Sequence, residues 1–150
     1  MRVLVGCDHA GFHLKEDLKE YLLSLGHEVE DYGVYSDDSA DYPDVAFRVA
    51  EDVVLGKGDR GILICGTGVG MSIAANKVRG VRAALCHDVF SARASREHNN
   101  ANILTMGERV IGRGLAREIV RVWLESEFMG DRHARRIAKI AAYEERKSSP

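Results

Sequence analysis

The sequence predicts a single α/β domain, residues 1–150, with a parallel sheet covered by helices, and three observations carry that prediction. Short apolar runs of strand length alternate with longer stretches of helical period. One run, Gly61–Cys65, is apolar almost throughout, as a central strand buried on both faces must be. The 150 residues, 45% hydrophobic and 29% charged, suffice for one core without disulfides or metal.

The elements follow in order. Val3–Val5 is the first strand and runs into Gly6-Cys7-Asp8-His9-Ala10-Gly11. Leu14, Leu18, Tyr21, Leu22 and Leu25 then share one helix face, stopped by Gly26. His27–Tyr32 reads as a weaker, acidic strand. Asp41-Tyr42-Pro43 opens a second helix, with Pro43 in its first turn and Val45, Ala46, Val49, Ala50, Val53 and Val54 on its apolar face. Gly61–Cys65 is the third strand, followed by a glycine-rich turn and a helix to about Lys77. Val81–Cys86 is a fourth strand, Asp88–Arg96 a fourth helix and Asn102–Met106 a fifth strand. Leu115–Leu124 and Asp131–Arg146 are the closing helices, divided at Gly130.

Composition excludes several classes. No apolar run approaches the ~20 residues of a membrane span, and MRVLVGCDHAG lacks the length and cleavage site of a signal peptide. Three cysteines are too few, and odd in number, for a secreted disulfide framework. A net charge of −2 and a pI near 6.3 disfavour a nucleic-acid or acidic-membrane partner. A cytoplasmic domain is expected. The average hides a polarity, because residues 1–59 carry a net −9 and residues 60–150 a net +7. Eight of the fifteen arginines lie from Arg109 onward, either as solvated helix faces or as a basic pocket for a small anion.

In open α/β sheets the site lies beyond the carboxyl ends of the strands. Cys7-Asp8-His9, Cys65-Gly66-Thr67, Cys86-His87-Asp88 and the segment after Met106 all follow strand ends. The densest segment is Cys65-Gly66-Thr67-Gly68-Val69-Gly70-Met71-Ser72, whose alternating glycines let the backbone approach a ligand and aim amides at an anion or oxyanion. It is neither a P-loop, lacking the closing Lys-Ser/Thr pair, nor a dinucleotide fingerprint, having G-x-G-x-G spacing after the third strand. Cys65 is either a small hydrophobe closing a strand or a thiolate favoured by the positive helix terminus. Asp8 either caps the next helix or joins His9 over the crevice. His98, flanked by Asn99 and Asn100, is the histidine with amides that could orient it or a substrate hydroxyl. Arg109 follows the fifth strand, and Arg132 and Arg136, four apart on one helix face with His133 between them at the helix start, either suit a phosphate dianion or form a solvated face. No His-x-x-x-His or Cys-x-x-Cys spacing suggests a metal, and none is expected.

Taken together, Gly6-Cys7-Asp8-His9-Ala10-Gly11, Asp41-Tyr42-Pro43, Ile64-Cys65-Gly66-Thr67-Gly68-Val69-Gly70 with Ala74-Ala75-Asn76-Lys77, His98-Asn99, Arg109, Arg132-His133 and Arg136 resemble type B ribose-5-phosphate isomerases. That family also includes galactose-6-phosphate and allose-6-phosphate isomerases. The resemblance implies a Rossmann-like three-layer domain with a five-stranded parallel sheet and a C-terminal helix. It also implies a cofactor-free aldose–ketose isomerase and a homodimer, or tetramer, with sites at the subunit interface. By position, Cys65 matches the proton-abstracting base, His98 the ring-opening residue and Thr67 its assistant. Gly66, Thr67, Gly68, Val69 and Gly70 match the segment that binds the open sugar. Asp8, His9, Asn99, Arg109, Arg132 and Arg136 fall on substrate positions, the arginines on phosphate. Met71 stands where another branch of the family has a glutamate, which places this chain with the cysteine branch. The alternatives are a hexose 6-phosphate isomerase (allose or galactose) or a non-catalytic phosphate- or nucleotide-binding domain.

Overall fold

Five strands run parallel in the order β2-β1-β3-β5-β4, and every crossover between them carries at least one helix. The computed structural model describes residues 1–148, and their side chains through Arg146. The strands are β1 (Arg2–Cys7), β2 (Glu28–Asp31), β3 (Arg60–Cys65), β4 (Ala83–Leu85) and β5 (Ile103–Gly107). The helices are α1 (Phe12–Ser24), α2 (Tyr42–Val54), α3 (Val69–Ala75), α4 (Val89–Glu97), α5 (Arg113–Glu125) and α6 (Arg132–Ser148). A 3-10 turn, His9–Gly11, joins β1 to α1.

The sheet is buried on both faces, as its continuous apolar strands require. On one face Val3, Val5, Ile62, Ile64, Leu104 and Met106 pack against Leu14, Leu18, Leu22, Ala92, Ile119 and Trp123 of α1, α4 and α5. On the other, Leu4, Leu63 and Ile103 pack against Val45, Val49, Met71 and Ala74 of α2 and α3. The three-layer α/β architecture expected from the sequence is therefore present.

β2 spans Glu28–Asp31 rather than His27–Tyr32, and two other elements are also shorter than their sequence pattern. α3 ends at Ala75 rather than near Lys77, because the Asn76 side chain pairs with both backbone groups of Ala83 (Nδ2 to O 3.0 Å, N to Oδ1 2.8 Å). β4 covers Ala83–Leu85 rather than Val81–Cys86. Its entry is diverted into side-chain pairing, with the Arg82 amide donating to Asn102 Oδ1 (2.8 Å). α6 is amphipathic in sequence, yet most of it stands exposed, including Ile140 and Tyr143.

Candidate active site

Strand order makes β1 and β3 neighbours whose following loops diverge to opposite sides, which opens a crevice at their carboxyl ends. Cys7 pairs with Ile64 in register, so Asp8 emerges beside Cys65, and its amide donates to Ile64 O at 3.2 Å. Gly11 packs where any side chain would strike the Ile64 carbonyl. The buried Asp8 carboxylate accepts from the Ala10 and Gly11 amides (3.0 and 3.2 Å) through Oδ1. It does cap the next turn.

Cys65 is 5% exposed, and its Sγ receives the Gly68 amide at 3.1 Å. That bond requires a reversed loop, and Gly68 supplies it with φ +77°. The loop is braced from β5. Thr105 Oγ1 donates to Gly68 O (3.0 Å), and the Glu108 and Arg109 amides donate to Cys65 O and Gly66 O (3.0 and 3.1 Å). Thr67 is exposed at the loop tip, its Oγ1 accepting from the Val69 amide at 3.2 Å. The Arg109 guanidinium lies against Gly66, 3.3 Å from where a Cβ would be. His9 Nδ1 sits against the Ala40 backbone, 3.2 Å from its amide and 3.3 Å from its carbonyl oxygen, which anchors the ring beside Asp8. Cys65, Thr67, the glycine loop, Asp8, His9 and Arg109 thus form one cluster.

The other two cysteines sit in different environments. Burial pushes the Cys7 thiol up to about 12, against a smaller opposing effect of Lys15. Burial also raises the Cys86 thiol. His87 accepts the Gly107 amide at Nε2 (2.9 Å) and braces β5 against β4.

His98 lies elsewhere. It ends α4, which runs back from the carboxyl edge of the sheet, and it precedes β5. β5 pairs with β3 from Gly61↔Ile103 to Cys65↔Gly107. Cys65 and His98 are therefore at opposite ends of adjoining strands, roughly 15 Å or more apart for a five-residue strand. Arg132 and Arg136 lie with His98, because His133 between them stacks on it (centroids 4.4 Å, interplanar angle 10°). Buried Arg96 holds the turn between, donating to Asn100 Oδ1 (2.9 Å) and Ala101 O (2.6 Å), while Asn100 adopts φ +48°. Asn99 is exposed beside them. A single chain does not bring this basic cluster to Cys65. Within the chain Arg109 lies with the loop, whereas Arg132 and Arg136 lie with His98.

Tyr42, although part of the Asp41-Tyr42-Pro43 motif, and Gly107 carry no assigned role from the sequence. A Cβ at Gly70 would lie 2.7 Å from the Tyr42 ring, so that ring walls the loop. A Cβ at Gly107 would lie 2.6 Å from the Thr67 backbone. Elsewhere, a hollow of about 320 Å³ is lined by Glu30, Asp31, Glu51 and Asp52 with Arg48, an acidic setting unsuited to a phosphate. No helix among the described residues is long and apolar enough to cross a membrane.

A three-layer α/β fold with a thiol and a glycine loop at the strand switch point defines a small-molecule site at the carboxyl edge of the sheet. The ribose/galactose isomerase family model matches residues 3–140, and the chain belongs to that family. It is a sugar phosphate isomerase. Ribose-5-phosphate isomerase B of Escherichia coli is 48% identical over 98% of this chain and 99% of its own. The D-erythrulose-4-phosphate isomerase of Pectobacterium atrosepticum is 46% identical over 96% and 95%. The structure of Clostridium thermocellum ribose-5-phosphate isomerase B superposes with a TM-score of 0.97 at 53% identity, covering 99% of this chain and 100% of that one.

Proposed function

We propose that this protein interconverts ribose 5-phosphate and ribulose 5-phosphate in a site that two copies of the chain complete together. One copy supplies Cys65, Thr67, the Gly66–Gly70 loop, Asp8, His9 and Arg109. The other supplies His98, Asn99, Arg132 and Arg136. The observation that carries this reading is the pairing of Cys65 Sγ with the Gly68 amide (3.1 Å) beside Asp8, with the arginine pair and His98 on the opposite edge of the sheet.

The sugar arrives mainly as a closed ring. The imidazole of His98, acting as general base and then general acid, takes the anomeric hydroxyl proton and returns one to the ring oxygen as the ring C–O bond breaks, with Thr67 assisting. Cys65 as thiolate then removes the proton from carbon 2. The electron pair forms the carbon 1–carbon 2 double bond, and the carbonyl oxygen becomes the enediolate oxyanion. Loop amides stabilise that charge, an effect typically worth about 3–4 kcal/mol per donor. The thiol returns its proton to carbon 1 while the carbon 2 hydroxyl proton passes to the oxyanion on carbon 1, leaving the ketose with its carbonyl at carbon 2 and regenerating the thiolate. Arginine forks on the unreacting phosphate hold the reacting carbons against Cys65 throughout.

Incubation with ribose 5-phosphate, with release of ribulose 5-phosphate followed, tests the reading, with allose 6-phosphate and galactose 6-phosphate as parallel substrates. Pentose turnover is expected to exceed hexose turnover. Failure to turn over any aldose or ketose phosphate overturns the reading and favours a phosphate- or nucleotide-binding domain.

A further inference from the structure

His133 is the buried group next to the basic cluster that the steps above do not use. It is 6% exposed, and its Nε2 is buried with no hydrogen-bond partner. Its ring lies nearly parallel to that of His98, centroids 4.4 Å apart. The position is fixed from both sides, since the Met129 amide donates to Glu97 O (3.0 Å) and the His133 amide to Gly130 O (3.0 Å). An imidazolium here would bury an N–H with no acceptor, whereas a neutral ring protonated at Nδ1 leaves only a bare lone pair at Nε2. The charged neighbours point the same way. Arg132 and Arg136 on α6 and His98 from the end of α4 oppose a charge on His133, and only Asp131 favours one. Burial, the largest effect, likewise holds the His133 imidazole below the ordinary histidine value.

We infer that His133 is a positioning residue, a neutral aromatic platform that fixes the plane of the His98 ring and tolerates the positive charge His98 acquires during ring opening. The inference rests on His98 being the ring-opening group proposed above. A flat neutral face suits this task, because it restricts the rotation of the stacked ring and attracts a cation without competing for the proton.

Two substrates separate this role from general support of the site. Ribose 5-phosphate must be opened, whereas erythrose 4-phosphate carries phosphate on the hydroxyl that would close a five-membered ring. His133→Ala is expected to lower kcat/KM for ribose 5-phosphate by about 10–100-fold, the scale of a misplaced catalytic group, with little change for erythrose 4-phosphate. His133→Phe, which keeps a flat neutral ring, is expected to restore most of the loss. Equal losses on both substrates, or a Phe variant as poor as Ala on ribose 5-phosphate, overturn the inference.

A readout independent of turnover comes from NMR titration of the imidazole signals, with His133 assigned by its loss in the Phe variant. His133 should remain neutral to well below its ordinary value near 6.5, and a His133 that charges at or above that value contradicts the platform role. If the wild type turns over no sugar phosphate, the functional reading fails, while the NMR result still decides whether His133 is the neutral partner.

Discussion

Cys65 and His98 sit at opposite edges of one sheet, the first closing β3 and the second preceding β5, with the β3–β5 pairing between them. Parallel connectivity enforces this. A residue just after a strand lies on the carboxyl edge, and one at the end of the returning helix lies on the amino edge. Two groups proposed for successive steps of one reaction therefore need two chains. The exposed α6, with Ile140 and Tyr143 unburied, gives each chain an amphipathic surface to present to another.

Cys65→Ser keeps the side chain's size but replaces an ionisable thiol with a hydroxyl that stays protonated. We expect kcat to fall by at least about 10²–10⁴-fold, the usual contribution of a general base, with KM changed far less because the arginines hold the phosphate. Cys7→Ala and Cys86→Ala should retain most activity, since burial raises both thiols. Steady-state kinetics on the three variants check this, and a Cys65→Ser enzyme near wild-type turnover would move the search for the base to Asp8.

His98→Asn should depress turnover of ribose 5-phosphate far more than that of erythrose 4-phosphate, which needs no ring opening. A loss of about 10²-fold on the cyclic substrate is the expected scale. The ratio of the two kcat/KM values is the readout, and an equal loss on both would assign His98 to substrate binding instead.

Gly107→Ala would place a methyl carbon 2.6 Å from the Thr67 backbone and 2.7 Å from Gly66 O, so the glycine loop must move. Overpacking of this kind costs about 1–3 kcal/mol, and here it displaces the segment that holds Cys65. Activity should fall steeply along with Tm. Gly114→Ala, with nothing within 4 Å of its Cβ in the first turn of α5, is the control and should not lower Tm.

Asp17 and Arg117 form a two-pronged ion pair, at 2.9 and 2.6 Å, that ties α1 to α5. Hydrogen bonding to Arg117 holds the Asp17 carboxyl below its ordinary value, with burial opposing. A depressed carboxylate stabilises the fold above its unfolded value and loses that contribution as pH falls through the lower folded value. Arg117→Met should therefore lower Tm at pH 7, with the gap to wild type closing as pH falls below about 4. Thermal unfolding across pH 3–7 would show it, and a pH-independent gap would mean that Arg117 acts through packing alone.

The strands and helices were legible because buried parallel strands must be apolar throughout and surface helices must be striped. Gly61–Cys65 and the α2 stripe Val45, Val49 and Val53 show the two patterns plainly. The glycine loop was legible for the same reason, as a break between two such patterns. Distances between elements were less so. Residue type carries no record of which sheet edge Arg109, Arg132 and Arg136 each occupy. Tyr42 passed as a helix-start aromatic and Gly107 as the residue after a strand, although both press on the loop. The Asp17–Arg117 pair joins residues a hundred positions apart, with no local signal at either end.

The central claim is that a working site takes Cys65 from one chain and the arginine pair from another. Cys65→Ala and Arg136→Ala proteins, each inactive alone, should be mixed under conditions that exchange subunits and assayed with ribose 5-phosphate. In a two-fold dimer half the exchanged molecules carry one intact site of two, so about a quarter of wild-type activity should return. A mixture that stays inactive after proven exchange, or a fully active monomer, would contradict the claim.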